Sequence, residues 1–524
     1  MQPISTSSSA TGSPAVRPAP EAEPGMPPLE EEDEKVRGGS GGDVIILDNL
    51  PAVFTIGCDH VSLSTTTTPF RGVRGVPPGP HLVWVAPTDS TSSRSGFWFV
   101  TDGSGGGPRP AIHAWRWDAF NEVLVGGVDG AAQCDGESGN VRRLAQILPA
   151  LAPYRFPASG SASANRRQEE AGLLPPFIQD KASMWSYLTS AITPQLLDSI
   201  IGDRRAERTT AGVSWPVTSS DRVLGENRTP EEARLYSSGI GSSGGGGGDS
   251  SESSPPLRFM FRMDEQLFDT AAEGAERTRQ ALDPTGWILG MLDKKEGPSS
   301  KPTPSASSVA TQSSNPSTGD DSAPAGQLIG ELQLAFLTGA HLGNFSCLEQ
   351  WHFALGRVAL RAYGLADERP RLARDVLRIL HAQLAYADLF LDSGGDILEE
   401  LVPERGRGSS HGHARGGLRK ALTTYRARLE ERKKLTGAGD GDGEGLREVA
   451  DAFGDLEAYL ARGRGWDLRA DAYLRSGDLM LEDGEVVHVE LDEFADEDER
   501  GEFAPVVVGL DDLGRQTDLV SWDR

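Results

Sequence analysis

The sequence predicts an α+β protein. An N-terminal antiparallel β-sandwich-like domain with added helices comes first, and an all-α helical domain follows. The first half has short apolar runs separated by Gly and Pro, and the second half has apolar residues at helical spacing. Only 37% of the residues are hydrophobic, while the chain holds 63 Gly and 34 Pro among 524 residues. Much of the chain therefore buries too little apolar surface to fold, and we expect long disordered inserts and tails.

Short apolar runs mark the predicted strands of the first domain. They lie at residues 44–47, 53–56, 82–85, 96–100 and 112–117. Gly- and Pro-rich turns separate them, which is typical of an antiparallel sandwich or barrel. Apolar residues then fall at helical spacing over residues 144–151 and 185–201, and these stretches predict the added helices.

The second half of the chain is predicted to be helical. Its apolar residues predict a helix pair over residues 329–358 and a further helix over residues 372–390. Amphipathic helices are predicted over residues 418–435 and 446–462. Such a set of helices forms a bundle or a helical layer.

Stretches of low complexity or strong charge set the predicted domain boundaries. The expected order is a disordered acidic tail over 1–43, a β-rich domain with a helical extension over 44–293, a disordered linker over 294–326, a helical domain over 327–475 and an acidic C-terminal tail over 476–524. A disordered insert is expected at 237–256, and flexible loops are expected at 404–417 and 436–445.

The charge and cysteine content exclude several classes of protein. Acidic side chains outnumber basic ones by 77 to 51, so the formal net charge is −26. This argues against direct nucleic-acid binding, because phosphate contacts need Lys and Arg. Three cysteines are too few for a disulfide framework or a four-cysteine zinc site. We also expect no secretory signal and no membrane span, since no suitable apolar run is present.

Motifs for catalysis are weak. The sequence has no phosphate-binding Gly-Lys-Ser/Thr and no His-Glu-x-x-His, and Gly-x-Ser-x-Gly occurs only in Gly/Ser tracts. We therefore expect no enzyme activity, no metal and no cofactor. One alternative is a hydrolase with an unrecognised Glu/His site, either Glu331 with His341 or Glu349 with His352. Another is a base-stacking platform on the aromatic strands, against which core packing competes; its rings would be Trp84, Phe97, Trp98, Trp115 and Trp117.

Short motifs in both halves of the chain form an ordered set. In the first half they are Phe70-Arg71-Gly72-Val73, Val76-Pro77-Pro78-Gly79-Pro80-His81, Gly96-Phe97 and Arg116-Trp117. In the second half they are Gly330-Glu331-Leu332-Gln333-Leu334-Ala335-Phe336, Leu342-Gly343-Asn344, Glu349-Gln350-Trp351, His381-Ala382-Gln383-Leu384, Asp388-Leu389-Phe390 and Phe503-Ala504-Pro505-Val506-Val507-Val508. Together these signature residues resemble the Aar-two family, the assembly factors of the spliceosomal U-five snRNP. The resemblance covers about half of the chain.

The resemblance implies a β-rich N-terminal domain, a VHS-like helical C-terminal domain and no enzyme activity. It implies a chaperone-like partner of Prp-eight, the central spliceosomal protein, that contacts its RNase H-like and Jab/MPN domains. Binding would hold the Brr-two helicase and RNA off Prp-eight until the particle matures, so the resemblance also implies a place in cytoplasm and nucleus.

Two signature motifs have competing structural interpretations. Gly72 is expected to allow a backbone conformation that other residues resist, while Arg71 is a candidate docking or buried ion-pair residue. Pro77-Pro78-Gly79 is expected to form a rigid turn rather than a polyproline ligand, because strands flank it closely.

Two regulatory or binding segments lie in the predicted disordered parts. Phe503–Val508 is a β-branched run in an acidic tail, and it either returns to its own domain or adds as a strand to a partner's sheet. Pro505 lacks an N–H, which places the expected ladder at Val506–Val508. The insert also holds serines beside acidic residues and Pro255, which are candidate phosphorylation sites that would favour release: Ser250, Ser251, Ser253 and Ser254.

Overall fold

A computed structural model of the chain describes twelve stretches and four separate strands. The stretches are residues 42–87, 93–101, 111–126, 147–154, 173–202, 213–226, 255–269, 271–272, 274–294, 322–391, 417–436 and 443–469, and the strands are 476–480, 486–490, 508–510 and 516–519. The predicted α+β class is confirmed, since a two-sheet β domain precedes a helical region.

Two five-stranded sheets form the β domain. The outer sheet has the strand order β8-β7-β1-β4-β9, and the inner sheet has the order β10-β6-β5-β2-β3. The strands are β1 (Asp43–Asp48), β2 (Phe54–Cys58), β3 (Val61–Thr65), β4 (Gly72–Val76), β5 (Gly79–Pro87), β6 (Ser95–Thr101), β7 (Ile112–Asp118), β8 (Val123–Gly126), β9 (Ala152–Pro153) and β10 (Ser214–Thr218). Most pairs are antiparallel, as predicted, but β1 pairs with β7 and β4 with β9 in parallel.

The central strands β5 and β6 of the inner sheet are buried on both faces. Val83, Val85 and Phe97 point into the core that it shares with the outer sheet. Leu82 and Trp98, on the opposite face, point into a second core formed with the helices. This explains the unbroken apolar runs of β5 and β6, because a strand covered on both faces needs no alternation of polar residues.

The helices build the third layer. They are α1 (Lys181–Leu188), α2 (Pro194–Ile201), α3 (Gly274–Leu282), α4 (Thr285–Lys294), α5 (Ser322–Leu342), α6 (Phe345–His352), a π-helical turn (Phe353–Ala359), α7 (Leu365–Glu368), α8 (Pro370–Phe390), α9 (Gly417–Thr436) and α10 (Gly443–Arg464). Within the described part of the helix predicted over residues 144–151, Ile147 is α-helical and a short 3₁₀ turn follows at Leu148–Ala150. Pro149 fits the first turn but supplies no N–H to extend a helix.

One hydrophobic core joins the first and second halves of the chain. It contains Trp98 of β6, Leu197 of α2, Phe336 of α5 and Leu380 of α8. The added helices α1 and α2 therefore lie between the inner sheet and the C-terminal helices, and the two halves pack against each other without a solvent layer at this core. The predicted domain boundaries themselves stay a proposal.

Three helix ends lie inside segments that are predicted to be disordered or flexible. Helix α5 begins at Ser322, within the predicted linker. Helix α9 ends at Thr436 and helix α10 begins at Gly443, both within the predicted loop 436–445. The C-terminal tail contains two hairpins. Strand β11 (Ser476–Met480) pairs with β12 (Val486–Glu490), and β13 (Val508–Leu510) pairs with β14 (Gln516–Leu519), both antiparallel.

Candidate partner-binding surface and the signature residues

The turn between β4 and β5 encloses a buried polar network. His81 Nδ1 lies 2.7 Å from Asp59 Oδ2, and His81 Nε2 lies 2.8 Å from the carbonyl oxygen of Pro77. Asp59 Oδ1 accepts a hydrogen bond from the Leu82 N–H at 2.9 Å, and Tyr154 donates its hydroxyl to Asp59 Oδ2. A carbonyl can only accept, so the ring carries a proton on Nε2, and the carboxylate favours a second proton on Nδ1.

Charge and burial act in opposite directions on His81. Burial is the largest influence and alone would lower the pKa of this histidine. The charge of Asp59, its hydrogen bond and the Pro77 carbonyl outweigh burial, so the pKa of His81 is raised. The Pro77-Pro78 connection is thus held as a rigid turn by a buried ion pair, which supports the turn interpretation over a polyproline ligand.

Gly72 has a conformation and a position that exclude a side chain. Its φ is +142°, and a Cβ atom would lie 1.9 Å from the carbonyl oxygen of Ile45 on the neighbouring strand. The prediction that Gly72 serves the backbone is therefore confirmed. Arg71 beside it is exposed, so the hypothesis of a buried ion pair at Arg71 is wrong.

The signature aromatics are core residues. Phe97 stacks on Trp115 with ring centroids 4.1 Å apart, and Trp117 packs edge-on against Phe54. Phe70 and Val73 are also buried, and Gly96 approaches the Val83 carbonyl closely. A base-stacking platform needs exposed ring faces. All five candidate rings, Trp84, Phe97, Trp98, Trp115 and Trp117, are buried, so the platform alternative is wrong.

Glu331 of α5 holds a segment from the first half of the chain. Its Oε1 atom accepts hydrogen bonds from the Met260 N–H at 2.8 Å and from Gln327 Nε2 at 2.6 Å. Its Oε2 atom lies 3.4 Å from the Phe261 N–H. Gln350 of α6 donates to the carbonyl oxygen of Phe261 at 2.6 Å. These two signature side chains bind the main chain of the same short segment.

Gln333 of α5 binds the turn between α1 and α2. Its side-chain oxygen accepts from the Ala191 N–H at 2.9 Å, and its amide donates to the Tyr187 carbonyl and to Ser190 Oγ. Gly330, one turn earlier, lets α5 approach this turn, because a Cβ atom there would lie 2.7 Å from the Ala191 carbonyl oxygen.

Asn344 fixes a third contact between the halves. Its amide donates to the carbonyl oxygens of Thr218 and Asp221 at 2.9 and 2.8 Å. Its side-chain oxygen accepts from the Cys347 N–H, so the same residue caps the N-terminus of α6. Gly343 precedes it with φ +65°, a conformation that ends α5 at little cost for glycine.

The remaining helical signature residues pack within the C-terminal half. Leu332 and Phe336 are core residues. Trp351 Nε1 donates to Gln383 Oε1 at 2.9 Å, and Gln383 Nε2 donates to the Leu332 carbonyl. The signature residues of the helical half are thus side chains that connect one secondary-structure element to another.

The candidate hydrolase pairs do not form an acid–base arrangement. Glu331 is 1% exposed and its oxygens face main-chain N–H groups, whereas His341 Nε2 lies 2.8 Å from the Tyr386 hydroxyl. Burial, the largest influence, lowers the pKa of His341 to about 4. Glu349 and His352 lie on one turn of α6 and are both half-buried. We therefore do not propose a hydrolase.

Among the described residues, no three His, Cys, Asp or Glu side chains come together to hold a metal. Two of the cysteines, Cys58 and Cys347, are buried and are not joined in a disulfide. None of the described helices is long and apolar enough to cross a bilayer.

The predicted binding and modification segments lie mostly outside the described residues. This is so for Phe503, Ala504, Pro505, Val506 and Val507, and for Ser250, Ser251, Ser253 and Ser254. Val508 begins β13, which pairs in cis with β14. Of the expected ladder Val506–Val508, only Val508 is described, and it belongs to a strand that pairs within the chain. Strand addition to a partner stays a proposal.

The folded first half presents exposed side chains that the sequence alone does not reveal. Arg71, Arg74 and Arg116 are exposed, and Phe120 in the turn between β7 and β8 is 92% exposed. Asp118 holds that turn by accepting from the Phe120 N–H at 2.9 Å. The strand register places Arg71 and Arg116 towards the Asp48 end of β1 and Arg74 beside Val44 at the other end.

Two family models match the chain. The AAR2 N-terminal domain matches residues 41–202, and the AAR2 C-terminal repeat region matches residues 260–469. Together they cover more than two thirds of the 524 residues and include nearly all signature residues. No individual curated protein shows significant similarity to the chain. The chain belongs to the AAR2 family, which gives it a protein–protein role in the assembly of the splicing machinery.

Proposed function

We propose that the chain is a non-enzymatic assembly chaperone of the U-five snRNP that binds Prp-eight. It contacts the RNase H-like and Jab/MPN domains and holds off the Brr-two helicase and RNA until the particle matures in the nucleus. It works in cytoplasm and nucleus, requires no cofactor and does not bind RNA itself. Membership of the AAR2 family supports this proposal, and so does the use that the fold makes of its signature side chains.

The observation that carries the proposal is that Glu331, Gln333 and Asn344 all hold one half of the chain against the other. An enzyme would concentrate such side chains at a cleft around reacting atoms. Here they fix the relative position of the β domain and the helices. A rigid body of this kind presents a preorganised surface to a protein partner, which limits the ordering entropy lost on binding.

The acidic C-terminal tail is the proposed second point of contact. Acidic residues flank the strand segment and would steer it to a basic surface: Glu497, Asp498, Glu499, Glu502, Asp511 and Asp512. The segment then adds to a sheet edge of Prp-eight and bridges its two domains. Because β13 pairs with β14 in cis, strand addition either extends this hairpin or exchanges one of its strands.

Truncation tests the tail contact. Deleting residues 500–524 should weaken Prp-eight binding, and the loss should shrink as salt rises, since steering is screened. Calorimetry with a fragment that contains both Prp-eight domains measures this at low and high salt. A full-length control with the six flanking carboxylates changed to amides separates steering from strand addition. Equal affinity of the truncated and full chains at low salt would show that the tail serves its own domain.

Phosphorylation of the 237–256 insert is the proposed release step. Each phosphate adds about −1.5 to −2 charges beside residues that are already acidic. Changing Ser250, Ser251, Ser253 and Ser254 to Ala should delay exchange of the chain for Brr-two on the particle. An unchanged exchange rate would leave the insert as a spacer.

Affinity purification followed by mass spectrometry tests the class of function. Recovery of Prp-eight is expected with the full chain. An exposed-surface control such as Asp451→Asn should recover it equally, because Asp451 lies on the solvent side of α10. Absence of Prp-eight from the purified material would contradict the proposal.

A further inference from the structure

The outer face of the outer sheet is only partly covered. Leu151 and the 3₁₀ turn before it pack on Val44, at the N-terminal end of β1. At the opposite end of β1 the described residues of this face are exposed or half-buried. Arg116 there is exposed, and Val125, its partner on the edge strand β8, is 39% exposed.

The strand register produces a shallow trough across this open face. Ile46 is the central residue of this region, half-buried and packed on one side against the cluster of Val44 and Leu151. Its neighbour on β4 is Gly72, and its neighbour on β7 is Ala114. Because both neighbours are small, the trough lies over Gly72 and Ala114, and the Ile46 side chain between them supplies its apolar contact. A Cβ atom at Gly72 is excluded by the Ile45 carbonyl, so the trough follows from the backbone itself.

Arginines border the trough on both sides. Arg116 on β7 lies two register pairs beyond Ala114, while Arg74 on β4 lies beside Val44, and Arg71 precedes β4. In the part of the chain that the structure describes, none of these three guanidinium groups forms an ion pair. Two carboxylates share the area. Asp48 is the register partner of Arg116, and Asp118 accepts hydrogen bonds from its own turn.

A strongly acidic segment precedes β1 in the sequence. Residues 21–34 contain seven acidic and no basic side chains, and Leu29 precedes the run Glu30-Glu31-Glu32-Asp33-Glu34. Nine peptide steps from Glu34 to Asp43 can span up to about 30 Å. The distance along β1 from Asp43 to Asp48 is about 17 Å at the rise of a strand. The acidic run can therefore reach both Arg116 and the trough.

We propose that residues 29–34 of the chain bind this face in cis, with Leu29 on Ile46 and the acidic run along Arg71, Arg74 and Arg116. The segment occupies an interaction surface that would otherwise be open to other acidic chains. Tethering supplies a local concentration in the millimolar range, so that even weak charge pairing populates the bound state. This inference does not depend on the identity of the splicing partner.

A labelled peptide tests the contact on full-length protein. The probe is a fluorescein-labelled peptide of residues 21–34, and anisotropy in 50 mM salt is the measurement. The competitor variant carries Glu30, Glu31, Glu32 and Glu34→Gln with Asp33→Asn. The peptide should bind this variant about tenfold or more tightly than the wild-type chain, because the wild-type segment competes for the same face. Binding should weaken as salt rises to 200 mM.

Substitutions on the face locate the site. In the neutralised variant, Arg74→Gln with Arg116→Gln should weaken peptide binding about tenfold. The matched control is Arg371→Gln with Arg447→Gln, two exposed arginines on α8 and α10, which should leave binding unchanged. The proposal is overturned if wild-type and neutralised chains bind the peptide equally, or if the two pairs of arginine substitutions have the same effect. It is also overturned if a uridine oligonucleotide binds the face equally well with either form of the acidic segment, which would indicate an RNA surface.

Discussion

Replacing Glu331 with Ala tests how the two halves are joined. The substitution removes the acceptor of the Met260 and Phe261 N–H groups, and Phe261 is fully buried. A buried donor left without a partner costs about 1–3 kcal/mol. The Phe261 contact is long at 3.4 Å, and removal of the carboxylate recovers part of its own desolvation cost. We therefore expect a loss of about 2–3 kcal/mol in the free energy of unfolding.

Urea unfolding of the full chain, followed by tryptophan fluorescence, measures the loss. Glu331→Gln keeps one acceptor oxygen and should lose about half as much. Asp451→Asn, on the exposed face of α10, is the matched control and should change stability by less than about 0.5 kcal/mol.

Hydrogen exchange makes the test local. The exchange rates of the Met260 and Phe261 amides should rise by more than the loss of global stability accounts for in Glu331→Ala, whereas those of the inner-sheet amides should rise only by the factor that this global loss predicts. A stability change within the range of the control, together with unchanged exchange at residues 260 and 261, would refute the assignment of Glu331 as a residue that joins the halves.

Three further predictions concern titration and glycine. His341 is buried with a pKa of about 4, so stability should fall by up to about 3 kcal/mol as pH drops from 6.5 to 4, and His341→Gln should flatten this slope in urea midpoints. For His81 the raised pKa reverses the direction of the pH dependence. The contribution of the ion pair to stability is complete below pH 6.5 and declines as pH rises through the folded pKa. An equal decline in Asp59→Asn would contradict the ion pair. Gly72→Ala should cost about 3 kcal/mol or more by thermal or urea unfolding, because it adds a clash to backbone strain. Gly79→Ala, with φ +130° and no atom near its Cβ, should cost about 1–2 kcal/mol, and equal losses would refute the clash.

Strands and helices with a regular apolar pattern could be predicted from the local sequence. Strands β5 and β6 and helices α8 and α10 were predicted because their apolar residues follow a strand or helix pattern. Strand β4 was missed, since Gly72, Arg74 and Gly75 interrupt its apolar run. It forms because β1 supplies a partner edge, which is a tertiary influence that propensity does not contain.

Long-range contacts could not be predicted from spacing. The motif around Glu331 showed polar residues in an apolar helix, yet their partners lie about 70 to 140 residues away along the chain. The parallel pairing of β1 with β7 has the same origin, because it joins strands almost 70 residues apart. One local pattern does indicate the three-layer arrangement of two sheets and the helices. Unbroken apolar runs in β5 and β6 require cover on both faces of the inner sheet.

Competition on Prp-eight tests the central claim most directly. A fragment of Prp-eight with the RNase H-like and Jab/MPN domains is mixed with Brr-two and increasing amounts of the full chain, and the complexes are separated by size-exclusion chromatography with light scattering. The account predicts that the chain and Brr-two are never found on the same Prp-eight molecule, and that each displaces the other in proportion to its concentration. A stable complex that contains all three proteins would contradict it.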